Sequence, residues 1–346
     1  MKILFAAVAV MAMAACSNED VISRPALPMI GFDTFVENST RAADINADNL
    51  ANFGVYGSVV NSQGQQGMIF ANQEVTKTAS GYKYSPAQYW IAGAKYDFVA
   101  FAPYQSGADA TWTYAPKVAT DATDATAAEN GTITFDNAKA GANQDLLFAA
   151  TSCETPETFN KKPDPVGFIF NHMLSRVKFT FTNGTATANN LTFKVTDVVL
   201  KSIPAKGKLS VSKPTASTAI TTGAWTIVAE DGTFDKDFDD AITATANDND
   251  VIAATASAAT THYYLIPNSA TYTVEFNVTL YQAGVNLGTY DRSANVKLEL
   301  GKGMSYNVKA ELNADTALDE PLYPIEFKVD GVENWAEFTD KSATVN

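Results

Sequence analysis

Histidine and cysteine are almost missing from this chain, with two of each. His172 and His262 stand far apart, and no His-x-x-x-His or Cys-x-x-Cys spacing exists, which argues against a zinc site. Cys16 directly follows the first apolar run. If it is modified, Cys153 has no partner and no internal disulfide forms. Basic residues are also scarce: 24 Lys and Arg face 38 Asp and Glu, for a net charge of −14. Such a surface repels phosphate backbones and anionic headgroups, so no nucleic-acid partner is expected. Leucine and Glu/Lys-rich helical runs are sparse, whereas Thr, Ala, Val, Phe and Tyr abound, a composition that favours sheets. Beyond the first apolar run, no stretch approaches the ~20 apolar residues that span a bilayer. Asp235, Asp237 and Asp239 alternate like the start of a calcium loop. The sixth position is Asp240 rather than glycine and the twelfth is Ala246, so the EF-hand pattern fails and a solvated acidic loop is expected. No convergent reactive groups, metal or cofactor are expected, which points away from an enzyme.

What is present begins with Lys2 and an apolar run over residues 3–15. One positive charge before a run too short to span a membrane reads as a cleaved export signal. Met13-Ala14-Ala15-Cys16 resembles the bacterial lipoprotein box, in which the cysteine becomes the acylated first residue. The acidic pair Glu19-Asp20 resembles a surface-export tag of Bacteroidetes lipoproteins. In residues 29–36, Ile30, Phe32, Thr34 and Val36 alternate with Gly31, Asp33, Phe35 and Glu37, the two-residue period of a half-buried strand. Residues 38–48 are small and polar, the composition of a loop open to proteases. Within them Ser39-Thr40-Arg41-Ala42 presents a lone arginine.

Short strands separated by Gly, Pro and Asn clusters follow. Residues 95–103 read as the most buried strand of the first half, residues 107–130 as a long exposed loop, and residues 151–165 as a linker containing Cys153. The run 166–182 opens a second domain. Further strands are expected at 191–200, 207–211, 225–229, 261–266, 272–281, 296–300 and 308–312, and this spacing argues for antiparallel β-sandwiches. Near the end, Ile325, Phe327 and Val329 alternate with Glu326, Lys328 and Asp330, and Trp335 and Phe338 follow.

Gln144-Asp-Leu-Leu-Phe148, Phe170-Asn-His-Met-Leu-Ser-Arg-Val177, Tyr264-Leu-Ile-Pro267 and Leu300-Gly-Lys-Gly-Met-Ser-Tyr306 resemble the recurring blocks of Bacteroidetes fimbrillin-like proteins, in the family's order. The resemblance implies an all-β chain of two tandem transthyretin-like antiparallel β-sandwich domains and a type V pilus subunit. The expected divisions are a signal peptide over 1–15, a propeptide over 16–41, an N-terminal sandwich over 42–160 and a C-terminal one over 161–346. It further implies lipidation at Cys16, cleavage between Arg41 and Ala42 by a trypsin-like Arg-specific protease, and loss of the first strand. Ile30, Phe32 and Val36 would then vacate pockets that a donor strand near 324–338 of the next subunit fills with Ile325, Phe327, Val329 and Trp335. The implied partners are other fimbrillin subunits and, for the precursor, the outer membrane; the implied location is the cell surface. His172, inside one block, is expected to make a structural hydrogen bond. Two alternatives stay open: a non-cleaved anchor subunit, and a monomeric surface lipoprotein that grips glycans with exposed aromatics such as Trp90, Trp112 or Trp225.

Overall fold

The computed structural model describes residues 27–36, 49–116, 130–139, 143–213, 219–238, 243–244, 251–313 and 325–334. In the first half the strands are β1 (Phe32–Val36), β2 (Asn52–Val60), β3 (Gln66–Thr78), β4 (Gly81–Lys83), β5 (Lys95–Ala102), β6 (Trp112–Pro116), β7 (Gly131–Asp136), β8 (Leu147–Glu154) and β9 (Val166–His172). The second half has β10 (Ser175–Asn183), β11 (Leu191–Pro204), β12 (Lys206–Ser212), β13 (Thr221–Ile227), β14 (Thr233–Asp237), β15 (Thr243–Ala244) and β16 (Ser257–Ala259). It closes with β17 (Tyr263–Leu265), β18 (Ser269–Gln282), β19 (Val285–Glu299), β20 (Met304–Leu312) and β21 (Phe327–Asn334). The all-β sandwich expectation holds. Most pairings are antiparallel, with β1–β9 and β10–β20 as parallel exceptions.

A seven-stranded sheet in the order β1-β9-β8-β5-β2-β3-β4 dominates the first half. It is covered on both faces, which explains the unbroken apolar run of β5. Tyr96, Phe98, Ala100 and Ala102 enter one core with Phe53, Phe70 and Phe168, while Val99 and Phe101 enter a second core with Trp112, Phe135 and Leu209. The first core is crowded enough to dictate backbone chemistry. A Cβ on Gly57 would sit 2.8 Å from Phe98 and 2.9 Å from Phe70, so only glycine fits there. The second core lies beneath a four-stranded sheet, β13-β12-β7-β6.

That sheet draws its strands from both sides of residue 160, where the sequence reading divides the chain. β12 and β13 come from the second half yet pair with β7, in register from Lys206↔Asp136 to Val211↔Gly131. Strand β9 also lies past residue 160 and belongs to the first sheet. The run 166–182 is therefore two strands that part at Met173-Leu174 and serve different sandwiches. The C-terminal sandwich packs β15-β16-β10-β20-β21, with β17 alongside β10, against β14-β11-β18-β19 around Val177, Phe179, Phe181, Phe193, Phe276 and Val308.

The four segments singled out from the sequence at 144–148, 170–177, 264–267 and 300–306 meet where the sandwiches join. Leu146, Met173, Leu174 and Ile266 share one core. Met173 N–H donates to Leu146 C=O at 2.8 Å and Gly303 N–H to Leu174 C=O at 2.9 Å. Ser175 Oγ donates to Gly301 C=O at 2.7 Å, and buried Arg176 donates through Nε to Ser305 Oγ at 2.8 Å. His172 Nδ1 and Asp145 Oδ2 share a buried hydrogen bond of 2.6 Å. The histidine thus has the structural bond expected of it.

Three other expectations are corrected. Trp112 sits in a buried strand, where an exposed loop was expected, because its indole packs on Phe101 and its Nε1–H reaches Pro103 C=O at 3.1 Å. Trp90 is 3% exposed, edge-on to Tyr96. Cys153 is in β8 opposite Tyr96, not in a linker, and is half-buried. Burial, and secondarily the nearby Asp97 carboxylate, push its thiol from 9.0 up to about 11.

Two outcomes follow. Phe98→Ala empties the centre of the first core and should cost about 3–5 kcal/mol in denaturant unfolding. Cys153 holds its proton more tightly folded than unfolded, so its contribution to stability is full below pH 9.0 and is lost as pH rises through about 11. Wild type should therefore lose more stability than Cys153→Val across that window in parallel denaturant titrations.

Candidate functional site: an edge strand in an aromatic groove

The alternation of residues 29–36 becomes a strand whose inward row is Ile30, Phe32 and Thr34, at 0%, 5% and 7% exposure. Its backbone is paired along only one flank at a time. From Gly31 onward it runs parallel to β9, from Phe32↔Val166 to Val36↔Phe170, after Val166 N–H donates to Gly31 C=O at 2.8 Å. Before that it bridges the other way, Met29↔Tyr89, with Ile30 N–H donating to Gln88 C=O and Trp90 N–H to Pro28 C=O, both at 2.9 Å. β1 ends the sheet order, so its outer backbone edge beyond Gly31 has no strand partner among the described residues.

Side chains supply the rest of the grip. The Phe32 ring stacks on Phe168 at 5.7 Å and meets Phe53, Phe70, Tyr84 and Phe98 at 5.4 to 6.4 Å between centroids. Edge-to-face rings at such distances add to simple burial. Burying Ile30 and Phe32 together stabilises the strand by about 3–6 kcal/mol. Thr34, polar but buried, donates from Oγ1 to Tyr82 Oη at 3.0 Å, and Tyr82 donates on to Leu50 C=O at 3.1 Å. Tyr84 Oη donates to Ile30 C=O at 2.8 Å. Burial pushes the Tyr84 phenol up, so it stays a donor through the neutral range. Because Tyr82 belongs to β4, this bond joins β1 and β4, the two edges of the seven-stranded sheet, across the core.

Thr34, Tyr82 and Tyr84 were not singled out from sequence. Thr34 carried a signal, since alternation set it on the face of Ile30 and Phe32. The tyrosines carried none, because only the curl of the sheet brings them to β1. Val36 ends the strand opposite Phe170. Cys16, Arg41 and Ala42 lie outside the described residues, as does Trp335.

At the other end, β21 is docked antiparallel on β20 within its own sandwich, with Ala310↔Phe327 and Val308↔Val329 in register. Ile325 is buried, and the half-buried Phe327 ring packs 5.7 to 6.0 Å from Phe179, Phe181 and Phe276. Val329 is 37% exposed. The pairing shifts between Tyr306 and Val308, which breaks simple alternation along the strand. β1 and β21 lie in different sheets, so one molecule does not bring the two candidate elements together.

Metal chemistry finds no frame in the described residues, which hold no cluster of three or more His, Cys, Asp or Glu suited to an ion. Asp235 is engaged by Lys201 Nζ at 2.6 Å and accepts from Ser202 N–H at 3.0 Å, and these hold its carboxyl below the usual range.

The chain resembles a solved fimbrial protein from Bacteroides vulgatus, with 17% identity and a TM-score of 0.61 over 89% of this chain and 99% of that one. A weaker likeness links it to the fimbrial anchor protein Mfa2 from Porphyromonas gingivalis, with 10% identity and a TM-score of 0.35 over 89% of this chain and 98% of that one. No curated protein matches it. The fimbrillin-like family model matches residues 40–322, most of the sequence, so the chain belongs to the fimbrillin-like family.

Proposed function

We propose that this chain is a subunit of a cell-surface fimbria that polymerises by exchanging its first strand for one from a neighbouring subunit. In this reading the precursor is exported as a lipoprotein acylated at Cys16 and held at the outer membrane. A trypsin-like protease then cuts between Arg41 and Ala42. The observation that carries the reading is the state of β1: its side chains fill an aromatic groove while its backbone is laddered along one flank at a time. Once severed from the following chain, such a strand is held by burial and by a short parallel ladder, a pairing slightly weaker per residue than an antiparallel one. Its departure would expose unpaired backbone of β9 and the pocket around Phe168, a template that an incoming extended segment satisfies. Family membership supports assembly with other fimbrial subunits and a surface location.

The donor in this scheme is residues 324–338. Ile325 and Phe327, which now pack in their own sandwich, would move to the pockets of Ile30 and Phe32 in the next subunit. β21 is also an edge strand, so it peels from β20 without breaking any other pairing among the described residues. Adhesion by the assembled fimbria follows as its role.

Three outcomes check the scheme. Position 35 is the register partner of position 169, where Ile169 is exposed. The double variant Phe35→Cys, Ile169→Cys should lock β1 in place when oxidised. Protease treatment should then leave monomers by native mass, and reduction should restore polymers. Polymers from the oxidised protein would refute strand loss. Phe32→Ala should destabilise the uncut monomer by about 3–5 kcal/mol, yet leave the melting temperature of assembled polymer unchanged, since the residue has departed. N-terminal sequencing of native fimbriae should read from Ala42, and a start at Cys16 would indicate an anchor subunit instead.

A further inference from the structure

The junction of the two sandwiches contains a cleft of about 500 Å³. We propose that this cleft is a binding site for a neutral oligosaccharide, a function separate from strand exchange and independent of it. The volume falls within the ~300–1,000 Å³ of ordinary ligand pockets. One wall is Ala224 and Trp225 of β13, which belongs to the first sandwich. The other is made by residues 267–269 and 299–302, which lead into and out of the β18–β19 hairpin of the second.

The walls are fixed before any ligand arrives. Trp225 donates from Nε1 to Met173 C=O at 2.8 Å and sets its ring against Phe135 at 6.4 Å, so the indole is immobilised while remaining part of the lining. Opposite, Leu300 N–H donates to Asn268 C=O at 2.7 Å, tying the two segments of that wall together. Tyr306 Oη accepts from Gly301 N–H and donates to Glu299 C=O, both at 2.7 Å, and pins the turn. A preformed pocket avoids the ordering cost that a flexible one incurs.

The polar groups select the ligand class. Two charged residues line the cleft, and both are engaged by the protein itself. Lys302 Nζ crosses between the sandwiches to donate to Thr222 C=O, Thr222 Oγ1 and Gly223 C=O at 3.3, 2.9 and 2.7 Å. Glu299 Oε1 is paired with Lys297 Nζ at 2.7 Å. An anionic ligand therefore finds no unengaged cation in the lining. Asn268 accepts from Tyr272 Oη at 2.7 Å, which orients its side chain and leaves the amide hydrogens for a ligand, and Ser269 is exposed beside it. A purely apolar ligand would leave both groups without partners, at a cost. A pyranose matches the set, with an apolar C–H surface for the half-buried Trp225 and a rim of hydroxyls for Asn268 and Ser269.

The test titrates the full chain with neutral gluco-, manno- and galacto-oligosaccharides, from tri- to hexasaccharides, read by calorimetry and tryptophan fluorescence. At least one series should bind saturably and perturb the fluorescence. Ala224→Trp, at an exposed rim position, should fill the cleft and lower affinity by more than about tenfold without lowering the melting temperature. Asn268→Asp keeps the acceptor for Tyr272 but loses the amide donors, and should weaken binding by about tenfold. Failure of every neutral series to saturate, binding confined to anionic sugars, or binding indifferent to Ala224→Trp would each overturn the proposal.

Discussion

Phe32 lies among five aromatic rings while the backbone on either side of it is laddered along a single flank, and this imbalance governs the first sandwich. Its seven-stranded sheet curls far enough for the edge strands β1 and β4 to share one core, but they are joined by the Thr34–Tyr82 hydrogen bond rather than by a ladder. A sheet that closes on itself removes its edges. This one stops a strand short of closure and places its most aromatic contacts at the seam. Affinity there comes from side chains in pockets, which any sequence with the right alternation can supply. The backbone contribution is generic. A groove of that kind can accept a substitute without redesign.

The C-terminal sandwich presents the complementary arrangement. Its last strand is antiparallel, sits at an edge, and buries Ile325 and part of Phe327 while leaving Val329 exposed. The side chains proposed as donors are therefore partly engaged in their own sandwich. Both strands are thus held at sheet edges by comparable means, a few buried side chains and a ladder along one flank.

The sequence revealed strands more readily than their partners. Alternation located β1 and β10, and the apolar run over residues 95–103 marked β5 as the most buried strand of the first half. Alternation states which face of a strand is buried, but not against which sheet. The β12–β13 hairpin accordingly looked like part of the second domain, although Leu209 and Val211 pack beneath β7 in the first. The passage from β9 to β10 was hidden because Met173 and Leu174 are themselves apolar and buried, so no polar break marks the change of sandwich. Trp112 was read as exposed because Ala/Thr/Asp repeats surround it, and nothing local to Trp90 reveals that its ring packs on Tyr96. The four family blocks, scattered along the sequence, proved to be a single place in space.

Among the described residues the chain crosses the junction between sandwiches three times: at Met173-Leu174 between β9 and β10, at Ala205 between β11 and β12, and at residues 228–232 between β13 and β14. Two domains joined by one linker can swing, and under tension they separate until the linker is taut. Here a pull along the molecule is divided among three covalent paths and the β7–β12 ladder, and Lys302 adds a tie across the gap. The two sandwiches are therefore braced as one stiff unit rather than hinged on a single linker.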